Sequence, residues 1–183
     1  VREYTKVKGR PFLLNMVKPC TGLTPEEGAK IFYQTALGGV DFIKDDELLG
    51  NPSYSHPADR VKAFRKAAKA AYEESGNNVK YFVNVTSGTA EIMDNVKAVE
   101  DAGADGIMIN FAAVGYSVLK QVAEETNLPI LGHAAGSGMV YEGTLNGMSS
   151  PLAVGKLARL AGADIVMVNT PYGGYPLSYQ KYM

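Results

Sequence analysis

The 183-residue chain contains a single cysteine, Cys20, which excludes an intramolecular disulfide and favours a reducing, cytoplasmic location. No apolar run approaches the roughly 18 residues that a membrane-spanning helix needs, and no signal peptide is recognisable. The formal net charge is only −1, so neither nucleic acid nor an acidic membrane surface is an expected partner. With 46% hydrophobic and 20% charged residues, the composition is that of an ordinary globular domain able to bury a core.

Short runs rich in Val, Ile, Leu and Met alternate with longer stretches of helical periodicity. This βαβα succession predicts an α/β fold with a parallel sheet. Helices are expected after Thr24, over 56–75 with Gly76 as the terminating residue, and over 152–160. The predicted strands span residues 12–18, 40–44, 81–85, 106–110, 130–133 and 165–169.

A glycine followed two residues later by an aspartate recurs where a helix ends and a strand begins. We expect the glycine to end the helix in a left-handed conformation and the aspartate to cap the turn. Successive copies lie about two βα units apart, which is the spacing of a barrel. The pairs are Gly39 with Asp41, Gly103 with Asp105, and Gly162 with Asp164.

Polar residues stand at the carboxyl end of almost every predicted strand, and in a (β/α)8 barrel those ends form the face that carries active sites. A doubly wound open sheet is the alternative, but residues 18–22 contain no dinucleotide-binding fingerprint after the first strand. A whole barrel needs eight units, whereas about six are recognisable here. The chain is therefore expected to be part of a larger protein. The polar strand ends are Lys18, Lys44 to Glu47, Asn84, Asn110, His133 and Asn169.

The most informative of these ends is the run Lys44, Asp45, Asp46 and Glu47 after the second predicted strand. Carboxylates crowded around one lysine repel each other unless they share a cation, and together they leave a net negative pocket suited to a hard divalent ion. A solvated acidic turn is the alternative, because most charge runs simply face water.

Residues 38–47 and their neighbours resemble the large subunit of ribulose-bisphosphate carboxylase (RuBisCO) and the RuBisCO-like proteins. The neighbouring matches are residues 17–19, 22–24 and 84–89. The similarity runs over nearly the whole chain and implies a (β/α)8 TIM barrel like the C-terminal domain of the RuBisCO large chain. Residues 1–183 would hold strands one to six, without the N-terminal α+β domain and the last two βα units.

The resemblance implies a metal site in which three of the four charged residues are ligands and one is structural. In that family the lysine reacts with CO₂, and the resulting carbamate binds Mg²⁺ with the second aspartate and the glutamate. The implied ligands are Lys44 as its carbamate, Asp46 and Glu47, which together supply oxygen donors to a hard cation. Asp45 alternates to the other side of the strand end and is expected to be structural.

The resemblance also implies three catalytic residues: Lys18, Asn84 and His133. Lys18 would take part in proton abstraction, with a pKa lowered by the nearby metal and the exclusion of water. Asn84 and His133 match active-site positions on strands three and five. Without the resemblance, His133 is equally a core histidine or a site residue. His56, before Pro57, is expected only to cap a helix.

Several family residues are replaced here, and their loss argues against carboxylation. Cys20 and Ala134 stand where the carboxylase has a lysine and a phosphate-binding arginine, Met167 replaces a histidine, and Gly174 replaces the loop lysine that polarises CO₂. The resemblance therefore implies Mg²⁺-dependent enolisation or isomerisation of a keto-sugar phosphate or related sugar acid, as in 2,3-diketo-5-methylthiopentyl-1-phosphate enolases, by a homodimer or higher homo-oligomer. The alternatives are a decarboxylase of an oxidised sugar acid, a true ribulose-bisphosphate carboxylase, and an inactive member used in binding or assembly.

Overall fold

Six strands follow one another in chain order in the sheet of the computed structural model, which describes residues 1–145 and 147–182. The chain divides into two units, Val1–Met108 and Ile109–Met183. Among the described residues, no helix combines the length and the apolar character that crossing a bilayer requires.

The first unit alternates strands and helices as the sequence pattern predicts. Strands β1 to β4 pair in parallel, and the register sets Met16 beside Lys44 and Lys44 beside Phe82. The last strand reaches beyond the unit boundary. The elements are α1 (Arg2–Thr5), β1 (Leu14–Met16), α2 (Pro25–Leu37), β2 (Phe42–Lys44), α3 (Pro57–Ser75), β3 (Lys80–Asn84), α4 (Ile92–Asp101) and β4 (Gly106–Asn110).

The predicted helix boundaries in this unit are confirmed by their caps. Thr24 forms a capping box with Glu27 at the start of α2, where Pro25 is the first helical residue. Gly76 ends α3 with φ 72°, a left-handed conformation that glycine adopts without steric penalty. His56 lies at the N-cap of α3, but its ring contacts Asn51 Oδ1 at 2.7 Å instead of capping the helix.

An aromatic cluster holds α2 and α3 against β3. The ring centroids of Phe32, Phe64 and Tyr81 lie 4.8–5.6 Å apart, and all three side chains are buried. Gly28 permits the close approach of the helices, because a Cβ there would lie 2.9 Å from Phe64. This packing fixes the start of α3 relative to the ends of β2 and β3.

The second unit contains short elements around β5 and β6, which pair in parallel through Leu131 and Ile165. The predicted helix over 152–160 begins as a π-helix at Pro151–Lys156 and becomes α-helical only at α8. The predicted sixth strand ends at Val166, although Met167 N still donates to Gly132 O. The elements are α5 (Phe111–Val114), α6 (Tyr116–Glu125), β5 (Ile130–His133), α7 (Gly138–Tyr141), α8 (Leu157–Leu160), β6 (Ile165–Val166) and α9 (Tyr179–Tyr182).

The repeated glycine–aspartate pairs join neighbouring strands, which corrects the expectation that the aspartates cap turns. The glycines do adopt positive φ, from 81° to 108°. Each aspartate, however, accepts the backbone N–H at the start of the preceding strand: Leu13 N for Asp41, Tyr81 N for Asp105 and Ile130 N for Asp164. The carboxylates thereby satisfy backbone donors where the strands begin.

Asp41 is buried and accepts hydrogen bonds from both terminal nitrogens of Arg10, at 2.6 and 2.7 Å. The hydrogen bond from Arg10 lowers the pKa of the Asp41 carboxyl below its ordinary value, although burial acts in the opposite direction. A carboxyl whose folded-state pKa is lowered stabilises the protein above its unfolded-state pKa, and this contribution disappears as the pH falls through the folded-state pKa.

We therefore expect Asp41→Asn to lower the urea midpoint of the full-length protein at pH 7. The difference from the wild type should narrow as the pH falls below about 4, where the wild-type carboxyl also becomes protonated. Urea unfolding followed by circular dichroism from pH 7 to pH 3 checks this. A difference that stays constant over this range would contradict the assigned role.

Candidate metal centre at the end of the second strand

The end of β2 buries three consecutive charged residues. Lys44, Asp45 and Asp46 each expose 1% or less of their surface. Glu47 is next, with 26% of its side chain exposed. Burying charges is unfavourable unless each has a partner. A solvated acidic turn is thereby excluded as the explanation of this run.

Lys44 has no close carboxylate partner among the described residues. Its Nζ donates to Asp45 O at 2.8 Å and contacts Met16 Sδ at 3.1 Å, while the nearest carboxylate oxygen, Glu47 Oε2, is 3.9 Å away. Burial lowers the pKa of Lys44 below its ordinary value, in spite of the opposing negative charges of Glu47, Asp46 and Asp45. The lowered pKa makes the neutral amine, the form that can react with an electrophile such as CO₂, more accessible than it is in an exposed lysine.

Asp46 is held by residues from two directions. Its Oδ2 accepts from Lys18 Nζ at 2.5 Å, and its Oδ1 accepts from Leu48 N at 3.0 Å. Burial acts to raise the pKa of Asp46, but the hydrogen bonds from Lys18 and Leu48 outweigh it and keep the pKa below its ordinary value. Asp46 is therefore a preformed carboxylate.

Lys18 differs from the expectation in its electrostatics. Its side chain is 53% exposed, so it is not withdrawn from water. The hydrogen bond with Asp46, assisted by Cys20 Sγ at 3.1 Å, raises the pKa of Lys18, whereas proton abstraction requires a lowered one. The pKa of Lys18 is raised in this arrangement because Asp46 is a direct partner of the ammonium group, and its role in proton abstraction beside a metal stays a prediction.

Asp45 faces the other side of the strand end, as expected from the alternation of side chains. It accepts from Arg60 Nε at 3.0 Å, Tyr81 Oη at 2.5 Å and Asn84 N at 2.8 Å. Burial raises the pKa of Tyr81 well above its ordinary value, and Asp45 adds to the shift. These bonds occupy the carboxylate fully and leave it no role as a ligand.

Arg60 and Tyr81 belong to this site and were not identified from the sequence. A signal for Arg60 was present: it lies four residues before Phe64 on α3, so the arginine shares the apolar face of the helix. A charged residue on a buried face needs a buried partner of opposite sign. Tyr81 gave no such signal, because an aromatic residue in a buried strand is ordinary.

Asn84 contacts the backbone of the charged run. Its Nδ2 donates to Asp46 O at 3.2 Å and Glu47 O at 3.1 Å, and its Oδ1 accepts from Thr86 N at 3.0 Å. The side chain is fully buried. In these contacts Asn84 orients the two candidate ligands, while the catalytic role implied by the resemblance stays a prediction.

His133 lies at the end of β5 in the second unit, whereas the other predicted site residues lie in the first. Its ring is half-buried, and Nδ1 accepts from Ala135 N at 3.2 Å. In a neutral ring this contact places the proton on Nε2. The neighbouring Ala134 provides no charge at this strand end.

Within 1–145 and 147–182, no three His, Cys, Asp or Glu side chains form a group able to hold a metal ion. The predicted ligand set contains only two of these, Asp46 and Glu47, and its third member is a lysine. A carbamate on Lys44 would supply the missing anionic oxygens close to Glu47. The donor set with that carbamate fits a hard cation, which prefers carboxylate-type oxygens.

The family model and the curated relatives that match this chain point to the same protein family. The family model described as ribulose bisphosphate carboxylase large chain, catalytic domain, matches residues 1–177. A ribulose bisphosphate carboxylase-like protein of Archaeoglobus fulgidus is 43% identical over 100% of this chain and 42% of its own length. A 2,3-diketo-5-methylthiopentyl-1-phosphate enolase of Bacillus pumilus is 37% identical over 97% of this chain and 44% of its own length.

Solved structures agree. A rubisco-like protein (MtnW) from Alicyclobacillus acidocaldarius is 32% identical with a TM-score of 0.91, over 99% of this chain and 46% of that one. A dimeric archaeal Rubisco from Hyperthermus butylicus is 37% identical with a TM-score of 0.81, over 89% of this chain and 39% of that one. The predicted fold, a partial (β/α)8 barrel, is confirmed. The chain spans less than half the length of the relatives it matches.

The hydrogen bonds that Arg60, Tyr81 and the Asn84 amide donate to Asp45 predict that a small change at Tyr81 has a large effect on stability. Tyr81→Phe removes one of the donors to a buried carboxylate, and we expect it to reduce the free energy of unfolding by about 1–3 kcal/mol. Tyr33→Phe is the matched control, because Tyr33 donates to Glu74 on the exposed surface, where such a bond contributes little. Chemical denaturation of both variants checks this, and equal effects would contradict it.

Proposed function

This chain belongs to the ribulose bisphosphate carboxylase large-chain family, and we propose that the protein carrying it catalyses Mg²⁺-dependent enolisation or isomerisation of a keto-sugar phosphate or related sugar acid. One observation carries the proposal: Lys44, a buried lysine whose nearest carboxylate oxygen among the described residues is 3.9 Å away, lies beside the preformed carboxylate Asp46 and the partly exposed Glu47. An ordinary structural lysine at this depth would have a carboxylate oxygen within hydrogen-bonding distance.

Lys44 as its carbamate, Asp46 and Glu47 would hold the cation. Bound Mg²⁺ would polarise a substrate carbonyl and so favour loss of the proton on the adjacent carbon. The backbone carbonyls of Asp46 and Glu47 are held by Asn84, which keeps both carboxylates at the strand end. Asn84 therefore positions the two candidate ligands through their backbone.

Lys18 is the candidate for the group that moves the proton. Lys18 Nζ donates a hydrogen bond to Asp46 Oδ2, and this bond stabilises the protonated form of Lys18. With Asp46 as a metal ligand, its oxygen would stabilise that proton less, and the main cause of the raised pKa of Lys18 would be weakened. Lys18, half exposed at the end of the site, would then be the candidate to take up the substrate proton.

The replaced family residues support enolisation without carboxylation. Ala134 and Gly174 carry no charge where carboxylases of this family have a phosphate-binding arginine and a lysine that polarises CO₂. The relatives named as 2,3-diketo-5-methylthiopentyl-1-phosphate enolases, at 35–37% identity, support the same class of chemistry. A dimeric Rubisco and an octameric one among the similar structures support a homo-oligomeric assembly, and we place it in the cytoplasm.

The decisive test is solvent deuterium exchange in the full-length protein. With Mg²⁺ and bicarbonate present, we expect deuterium to enter 2,3-diketo-5-methylthiopentyl-1-phosphate or another phosphorylated ketose at the carbon beside the carbonyl. Lys44→Met should reduce this exchange by at least about 1,000-fold, because it removes the carbamate and the metal with it. NMR spectroscopy or mass spectrometry of the recovered substrate measures the label.

Lys62→Met is the control, because the Lys62 side chain is 67% exposed on α3. Its exchange should equal that of the wild type. Full exchange in Lys44→Met would refute the proposal. Label found only together with CO₂ release from a sugar acid would favour the decarboxylase, and fixation of labelled CO₂ into ribulose bisphosphate would favour the carboxylase.

A further inference from the structure

Arg60 is a buried arginine that connects its own helix, α3, to two other parts of the chain near the candidate metal centre. Only 1% of its surface is exposed. Its Nε and one terminal nitrogen bind Asp45 Oδ2 at 3.0 Å. The remaining contacts go to backbone carbonyls, which are those of Leu49, Gly50, Ser55 and Asn84.

Three of these four carbonyls belong to one short segment of the chain. Leu49, Gly50 and Ser55 lie in the segment 45–56, which runs from the charged strand end to the start of α3 and contains Asp46 and Glu47. Arg60 therefore gathers the segment that carries two candidate ligands around a single guanidinium group. The planar arrangement of its donors suits this role, because each N–H has a fixed direction.

The same segment lies close to the end of β3. A Cβ at Gly50 would lie 2.6 Å from Thr86 O, so only glycine fits there. Arg60 Nη2 lies between the two chain segments and donates to Gly50 O at 3.0 Å and Asn84 O at 3.2 Å. The guanidinium group thus bridges the segment and the end of β3.

Asp45 is the carboxylate partner of Arg60 and lies between two candidate ligands in sequence. Successive side chains at a strand end point to opposite sides, so a carboxylate held on one side directs its neighbours Lys44 and Asp46 to the other. Arg60, Tyr81 and the Asn84 amide together leave Asp45 one orientation. Replacing a buried ion pair with apolar residues is often neutral or stabilising, so stability alone does not require this pair.

We propose that Arg60 is a positioning residue of the candidate metal centre. It orders the segment 45–56 and, through Asp45, sets the directions in which Lys44 and Asp46 point. The ordering of the segment stands on the contacts alone, while the consequence for metal binding rests on the proposed function.

The test uses the full-length protein and three variants. Arg60→Met keeps the volume and removes the donors, and Arg60→Lys keeps the charge but can reach only part of the partner set. Arg10→Met is the control, because Arg10 also forms an arginine–aspartate ion pair, with Asp41 at the opposite end of β2, but its side chain is half exposed and contacts nothing in segment 45–56 that the structure records. All are compared at a temperature where circular dichroism shows them folded.

Two measurements separate positioning from stability. Amide hydrogen exchange, read by mass spectrometry without metal, reports on segment 45–56. Electron paramagnetic resonance titration with Mn²⁺ and bicarbonate reports on the centre, and ¹³C NMR with labelled bicarbonate reports on the Lys44 carbamate. We expect Arg60→Met and Arg60→Lys to speed exchange in 45–56 and to weaken Mn²⁺ binding by about 10- to 100-fold, while Arg10→Met changes neither.

The outcomes are distinct. Unchanged exchange in 45–56 and wild-type Mn²⁺ binding in folded Arg60→Lys would overturn the inference, as would an equal loss of Mn²⁺ affinity in Arg10→Met. If the wild type shows no bicarbonate-dependent Mn²⁺ binding and no carbamate signal, the proposed function fails, and the metal-positioning role with it. The exchange data would still decide, on their own, whether Arg60 orders the segment.

Discussion

The end of β2 places a lysine and two aspartates out of contact with water, and each needs a compensating partner. The compensation is unequal. Asp45 binds a buried guanidinium group and Asp46 a half-exposed ammonium group, whereas Lys44 contacts a carbonyl oxygen and a thioether and has its nearest described carboxylate oxygen, on Glu47, 3.9 Å away. The start of α3, the end of β3 and the residues after β1 are all held around this cluster. The structure of the first unit therefore depends on how these charges are compensated.

The two ends of β2 use similar pairs for different purposes. At its start, Asp41 binds Arg10 and the first amide of the neighbouring strand, and two further aspartates repeat that amide contact elsewhere in the chain. Such a repeated contact maintains strand register. At the far end, Asp45 binds Arg60 once, beside residues that carry chemistry. This division agrees with the separation of stability and catalysis between the two faces of (β/α)8 barrels.

The parts that could be predicted were those with a local cause. Caps such as Thr24 and Gly76 act within a few residues, so the boundaries of α2 and α3 followed from the sequence. The glycines before the strands were predicted correctly for the same reason. The aspartates were misinterpreted, because their partners are backbone amides about 24 to 34 residues away along the chain. The pKa of Lys18 likewise depends on a residue remote in sequence, because Asp46 contacts it across the strand ends.

The sequence by itself determined the order of the elements, the family, and the charged run that marks the candidate centre. Each of these depends on residues that are close together along the chain. The tertiary structure decided which of those charges is compensated, and by what. Arg60 and Tyr81 come from α3 and β3, and only packing brings them to Asp45. Hydrogen bonds and the burial of charge depend on distances between segments remote in sequence, so the different states of Lys44, Asp45 and Asp46 arise only in the folded chain.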